Sequence, residues 1–483
     1  MDLSYTALAK LLLPKIPFTC KTAVVHLLHL SPTSSKWDLR TKLTIELIRV
    51  LTLPDEPPSV SDVQAQSMAA PDVKGKIWIS RTAADIPPEE DAQSLLFRII
   101  DQLNENHAIY TKPSYVRVEA EWTGYRADAK ANTPEPTLSE KEKYAKLMAE
   151  VTSPVTILYF HGGAMYLMDP ATHRGTVVKL AKLTGGRVYS VRYRLAPQNP
   201  FPAAILDAFI SYLNLLYPPE NSFHEAVPAS HIIIAGDSAG GNISFALLQF
   251  LLQLHKGSTS GVPTVKWHGK QVEVPLPAGV ATFSPWMDVT RCLPSQYSNA
   301  KFDYIPPPSL ATKKPKPCSI WPTDPPRSEY YCDGLITAHA LVSPMAASSW
   351  TGSPPLFIGC GEELLSDEDK VVAARAAKQG VTVVWEQYES MPHCFAMMVG
   401  NLPESKAFFN SWARFCSDAV SRPAELKTNG AWVSVKSCHR SDVNVEALSE
   451  FTDNEVTAKM VKAMQEKVES FQKEHKTSTL PVI

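Results

Sequence analysis

Six short apolar runs, often β-branched, recur through the middle of the chain, at residues 155–160, 187–192, 231–235, 278–283, 355–360 and 381–388. They do not alternate with polar positions, so they read as strands buried on both faces. Helical periodicity fills the intervals, as at 202–216 and 242–254. The alternation predicts a doubly wound, mostly parallel α/β sheet with helices on both faces. Upstream, 76–80 and 115–122 read as strands, with a helix between them at 91–104 whose Leu95, Leu96, Ile99, Ile100 and Leu103 share one side.

Three stretches break the rhythm. Residues 1–74 form a helical, proline-punctuated cap, with a helix expected at 37–53. Residues 75–420 carry the α/β core. Within it, 291–333 holds Pro306, Pro307, Pro308, Pro315, Pro317, Pro322, Pro325 and Pro326, which argue for an irregular insertion anchored by aromatic residues such as Tyr304, Trp321 and Tyr330. Residues 421–483 form an extension. It has a strand-like 431–435 and an amphipathic helix whose Val456, Met460, Met464 and Val468 are expected to dock on the core.

Composition narrows the functional classes. The 483 residues are 44% hydrophobic, enough for a large core, and 47 basic against 49 acidic side chains leave a net charge of -2. That balance gives no electrostatic reason to expect nucleic acid as a partner. Eight cysteines never form a C-x-x-C pair, so neither a zinc ribbon nor a disulfide-dense fold is expected, and most should be buried thiols. No metal or cofactor is implied. Near the start, two apolar clusters, 8–13 and 24–30, are separated by Pro14, Lys15 and Pro17. Each is too short to span a bilayer, and Asp2 stands where a secretory leader carries positive charge. The expectation is a cytoplasmic protein, with peripheral attachment to an internal membrane open because Leu8, Leu11 and Leu12, and Val24, Leu27 and Leu28, share helical faces. Oligomeric state is not encoded in any pattern found.

Three segments carry chemistry. In 231–241, HIIIAGDSAGG, a buried strand runs into Gly236-Asp237-Ser238-Ala239-Gly240 and then a helix. A serine on so sharp a turn, with small residues two positions either side, is a nucleophile elbow. In 155–165, VTILYFHGGAM, a strand ends in His161-Gly162-Gly163-Ala164, a small-residue loop that exposes backbone amides where an oxyanion would form. Around 356–395, an acidic cluster (Glu362, Glu363, Asp367) follows one strand and His393 follows the next. The order serine, acid, histidine is that of the α/β-hydrolases.

With HGGA at 161–164, GDSAG at 236–240 and Tyr193-Arg194-Leu195-Ala196-Pro197-Gln198-Asn199-Pro200-Phe201-Pro202-Ala203-Ala204, the chain resembles the hormone-sensitive-lipase-like branch of that superfamily, particularly its large fungal esterase, lipase or steryl acetyl hydrolase members. The resemblance covers about 155–415. It implies an α/β-hydrolase fold with Ser238 as nucleophile, His393 as base and the N–H groups of Gly162, Gly163, Ala164 and Ala239 as the candidate oxyanion hole. Met165 and Tyr166 after the HGGA loop, Trp286 after the 278–283 strand and Phe395 beside His393 are candidate pocket residues. Ala164 replaces the family's third glycine, and Gln198 its usual glutamate. The family's D-P-L-x-D segment reads Glu363-Leu364-Leu365-Ser366-Asp367 here, which makes Glu363 the expected acid and Asp367 its runner-up.

The expected activity is hydrolysis of an apolar carboxylic ester, a small to medium acyl group on a bulky alcohol such as a sterol or secondary metabolite. Two readings compete with it: an acyltransferase using the same triad, and a non-catalytic ligand-binding protein on this fold.

Overall fold

A computed structural model of the chain describes residues 13–68, 70–258, 261–310 and 313–477. Leu8, Leu11 and Leu12 of the first apolar cluster lie outside them. All six apolar runs are strands. In chain order they are β3 (Thr156–Phe160), β4 (Arg187–Val191), β5 (Ile232–Asp237), β8 (Gly279–Phe283), β9 (Leu356–Gly361) and β10 (Val383–Tyr388), preceded by β1 (Ile77–Ala84) and β2 (Val118–Tyr125). With β11 (Asn429–Val433) and β12 (Arg440–Asp442) they form one ten-stranded sheet, ordered β1-β2-β4-β3-β5-β8-β9-β10-β11-β12. Pairing is parallel from β4 through β11 and antiparallel at both ends.

The lack of alternation has a simple cause. Ile157 and Tyr159 of β3, with Ile233 and Ala235 of β5, point into a core built with Phe408 and Trp412. Their neighbours Leu158, Phe160, Ile232 and Ile234 point into the opposite core, with Phe209, Phe245 and Phe250. Both faces are covered, so apolar residues run on consecutively instead of alternating with polar ones. The helix Ala203–Leu216 is buried at all its residues.

The segment after 421 docks on the core as expected: its strand, β11, pairs with β10 in the central sheet, and the helix Asp453–Thr477 buries Val456, Met460 and Met464. The insertion contains one turn of helix, Ser295–Ser298, and a 3-10 turn, Ala300–Phe302, before its proline-rich part. A hairpin, β6 (Thr264–Trp267) with β7 (Lys270–Glu273), escaped the periodicity because each strand is only four residues long. Its turn, His268-Gly269, has positive φ at both residues, as a tight hairpin requires.

The N-terminal helices Leu39–Thr52 and Val60–Ser67 lie against the core, and Ile16–Leu27 packs on the first of them. Trp37 Nε1 donates to Ser390 O at 2.7 Å, and Gln64 Nε2 donates to Tyr166 O at 2.8 Å. All eight cysteines are free thiols; Cys332, Cys360, Cys394 and Cys416 are buried, while Cys20 is exposed. Among the described residues no helix is long and apolar enough to cross a membrane.

Candidate active site

The parallel strands deliver their C-terminal ends to one edge of the sheet, where α/β sheets bind ligands. β3 ends at the HGGA loop, β5 at Ser238, β9 at the acid loop and β10 at the histidine loop.

Ser238 sits at φ 52°, ψ -120°, between β5 and the helix Ala239–Gly257. Only missing side chains permit this turn. A Cβ on Gly240 would lie 1.9 Å from Phe160 O, and one on Gly236 2.4 Å from the Gly240 backbone. Strand and helix therefore meet backbone to backbone, and the strain is concentrated on the serine. Ser238 N–H donates to Phe283 O at 3.0 Å and Trp286 N–H donates to Ser238 O at 2.9 Å, which clamps the elbow from β8.

The HGGA loop is bent by positive φ at Gly163 (111°), Ala164 (52°) and Met165 (68°). The amides of Gly163 and Ala164 donate to no acceptor among the described residues, and that of Ala239 opens its helix without an intrahelical partner. Gly162 is a correction. Its N–H donates to Asp237 Oδ1 at 3.2 Å, so it is already used and leaves the oxyanion set. Asp237 also accepts from Tyr159 O–H (2.5 Å) and lies 3.3 Å from His173 Nε2. Burial pushes its pKa up, but His173 and these hydrogen bonds hold it below the ordinary value. His161 stacks on Tyr193, and burial with His173 nearby pushes its pKa down to about 3, so it stays a neutral structural ring.

On the other flank, His393 Nδ1 lies 2.7 Å from Glu363 Oε1. Glu363 is fully buried, and its second oxygen accepts from Ser284 O–H (2.6 Å) and Gly361 N–H (2.9 Å). With both oxygens engaged it has one orientation. Burial would lower the His393 pKa; the charges of Glu363, Asp303 and Asp237 and the Glu363 hydrogen bond raise it above the ordinary value instead. Nδ1 is thus committed, which leaves Nε2 for Ser238. No hydrogen bond joins Ser238 Oγ to His393 here, a contact that commonly tightens only with substrate bound.

Asp367 is elsewhere. It is the second residue of the helix Ser366–Lys378, and its carboxylate accepts from Ser295 N–H (2.9 Å) and lies 3.3 Å from Lys370 Nζ. It stands in the first turn of its helix, where a negative charge favours the helix dipole.

Of the pocket candidates, Met165 is buried behind the HGGA loop, Tyr166 packs on Tyr330 of the insertion at 4.8 Å, and Trp286 is half-buried beside the elbow. Phe395 is a correction. It is fully buried among Phe283, Tyr388 and Phe408 on the inner side of the histidine loop, a core residue with no face toward a ligand.

Sequence reasoning missed a group of residues that wraps the acid loop. Ser295 Oγ–H donates to Leu364 O (2.7 Å), Asn299 Nδ2 donates to Glu363 O (3.0 Å), and Asp303 Oδ2 accepts from Leu364 N–H (2.8 Å). Tyr304 adds an edge-on ring 6.0 Å from His393. A signal existed in the four-residue spacing Ser295, Asn299, Asp303, which puts three polar side chains along one side of a helical turn.

A ten-stranded α/β sheet with an elbow serine, an amide loop and an acid–histidine pair at its carboxyl edge is α/β-hydrolase architecture. Comparison with known proteins agrees. A family model described as the alpha/beta hydrolase fold matches residues 157–397. An acetyl-hydrolase of Streptomyces hygroscopicus is 31% identical, across 52% of this chain and 71% of that protein. An esterase of Acinetobacter venetianus is 29% identical, across 56% and 78%. Among solved structures, an esterase from the bacterial hormone-sensitive lipase family superposes with a TM-score of 0.52 at 22% identity, covering 80% of this chain and 99% of that one, which supports the fold. The chain belongs to the α/β-hydrolase family, and it is a carboxylesterase-type hydrolase.

Proposed function

We propose that the chain hydrolyses carboxylic esters through an acyl-enzyme on Ser238. His393 Nε2 takes the hydroxyl proton as Ser238 Oγ bonds to the acyl carbon. The carbonyl oxygen gains charge against the amides of Gly163, Ala164 and Ala239, donors already in place before reaction. The ester C–O bond then breaks, and the leaving alkoxide takes the proton from His393. Water repeats the cycle and frees the acid. Glu363 holds the proton on Nδ1 and stabilises the imidazolium that forms at each step. The 2.7 Å contact between Glu363 and His393, with the second carboxylate oxygen doubly held, is the observation that carries this reading.

The substrate we propose is a small to medium acyl ester of a bulky apolar alcohol. Support comes from the name of the Streptomyces relative and from the aromatic cover, Tyr166 against Tyr330 and Tyr330 against Trp321. In this reading the insertion and the helix Val60–Ser67 form the lid. p-Nitrophenyl esters of increasing chain length test it. Turnover should be highest for short acyl chains and vanish in Ser238→Ala. Activity that survives Ser238→Ala, or that requires an added alcohol acceptor, would overturn hydrolysis at this serine.

We further propose that the N-terminal helix rests on an anionic membrane surface. Ile16, Val24, Leu27, Leu28 and Leu30 are exposed, and no acidic residue stands between Asp2 and Asp38, whereas Lys10, Lys15, Lys21 and Lys36 do. Co-sedimentation with vesicles containing phosphatidylserine should exceed that with neutral vesicles and fall in a Leu27→Ser/Leu28→Ser variant. Equal recovery with and without vesicles would refute the attachment.

A further inference from the structure

The insertion contributes a buried carboxylate whose bonds converge on the site. Asp303 is 1% exposed. Its Oδ2 accepts from Leu364 N–H at 2.8 Å, next to Glu363, and its Oδ1 accepts from His393 N–H itself at 3.3 Å. The remaining capacity of Oδ1 is spent on its own turn, on Tyr304 N–H (2.7 Å) and Ile305 N–H (3.2 Å). One side chain thereby ties the insertion to the loop after β9, 61 residues on, and to the loop after β10, 90 residues on. Burial and the neighbouring Glu363 push its pKa above the ordinary carboxyl value, against the pull of His393 and the Leu364 and Ile305 amides; in its ionised form it accepts from all four main-chain donors with no O–H of its own to compete.

The turn that carries Asp303 is fixed from outside. Arg49, on the N-terminal helix Leu39–Thr52, donates to the carbonyls of Asp303 (2.7 Å), Ala300 (3.0 Å) and Lys301 (2.9 Å). Phe302 of the same turn packs its ring 6.5 Å from Trp37, whose indole N–H holds Ser390 in the histidine loop.

Resting on the triad read under Proposed function, we propose that Asp303 is a positioning residue of the catalytic site, setting the separation of the Glu363 and His393 loops and adding a second negative charge beside the imidazole. The groups facing His393 are Glu363, Asp303, Asp237, Cys394 and Tyr304, and of these the three carboxylates favour its protonated form. Asp303 and Glu363 act differently on it. Glu363 bonds Nδ1 and fixes ring orientation and tautomer; Asp303 bonds the main chain and fixes where the ring stands.

The test is the steady-state kinetics of Asp303→Asn and Arg49→Gln on p-nitrophenyl butyrate. Each kcat is normalised to the fraction of chain labelled by a fluorophosphonate at Ser238, and thermal unfolding is followed in parallel. Asp303→Asn keeps the size, removes the charge and turns an N–H toward donors. Its kcat should fall about 10- to 100-fold, the scale of a small misplacement of catalytic groups, with KM nearly unchanged. The acidic limb of its kcat/KM profile should also move to lower pH, because His393 loses one of the charges that raise its pKa. Arg49→Gln loosens the turn and spares the carboxylate, so kcat should fall less and the pH limb should stay in place. A lowered unfolding temperature with normal kcat per labelled site and an unmoved limb would overturn the proposal, leaving Asp303 as a structural acid alone. If Asp303→Asn does not fold, normal kcat per labelled site in Arg49→Gln overturns it. A wild-type chain that is neither labelled nor active would instead overturn the triad reading, so the two failures are distinct.

Discussion

The two flanks of the site are rigid for opposite reasons. The serine and oxyanion flank is held by what is missing: Gly236, Gly240 and Gly163 leave no room for a Cβ, and close backbone contacts force the elbow and the amide loop. The acid and histidine flank is held by what has been added, a set of side chains from a segment far away in sequence: Ser284, Ser295, Asn299 and Asp303 around Glu363, Leu364 and His393. Backbone packing makes donors that need no partner until an oxyanion arrives. Side-chain bonding makes a fully buried carboxylate with both oxygens engaged and one orientation. Substitutions should therefore fail differently on the two sides, through the fold on one and through the chemistry on the other.

The largest effect belongs to the nucleophile: Ser238→Ala should lower kcat by about 10³-fold or more while the unfolding transition stays put. Next comes the acid. Glu363→Gln offers the histidine an amide that favours the wrong tautomer, and kcat should drop by about 10²- to 10⁴-fold. The pH profile gives an independent sign. His393 must be neutral to take a proton, and its pKa is raised chiefly by Glu363 against the effect of burial. The acidic limb of wild-type kcat/KM should therefore lie above the ordinary histidine value of about 6.5. In Glu363→Gln it should move to lower pH, and a limb that stays where it was would mean that Glu363 is not the partner.

Gly240→Ala tests the other flank. Its Cβ would stand 1.9 Å from Phe160 O, and overpacking of this kind costs about 1–3 kcal/mol or more, read from urea denaturation. Activity should be lost together with stability. Glu363→Gln should separate the two. The smallest effect is expected at Asp367, whose carboxylate holds Ser295 N–H and Lys370 rather than His393. Asp367→Asn should cost about 1 kcal/mol of stability and leave kcat near normal. A dead Asp367→Asn beside an active Glu363→Gln would reverse the roles.

The same contrast decides what could be read from the sequence. Sheet and elbow follow from local rules, continuous apolar runs for strands buried on both faces and glycines where backbones touch, so the six strands and the GDSAG turn were legible. Glu363 was legible in position, since it follows β9 at the sheet's carboxyl edge. What held it there was not. Proline content made 291–333 look irregular throughout, which hid the Ser295, Asn299 and Asp303 ladder in its ordered first part. Phe395 was misplaced because its position beside His393 said nothing of which side of the loop it faces. Gly162 was misplaced because its amide is claimed by Asp237, 75 residues later. These are contacts between distant segments, and no periodicity records them.

The account stands most directly on the identity of the reacting serine. The wild-type chain should be treated with a fluorophosphonate, digested, and mapped by mass spectrometry. The adduct should fall on Ser238 alone, be absent from Ser238→Ala, and form far more slowly in Glu363→Gln than in Asp367→Asn. An adduct on another serine, or a Ser238 that does not react in the folded wild-type protein, would contradict it.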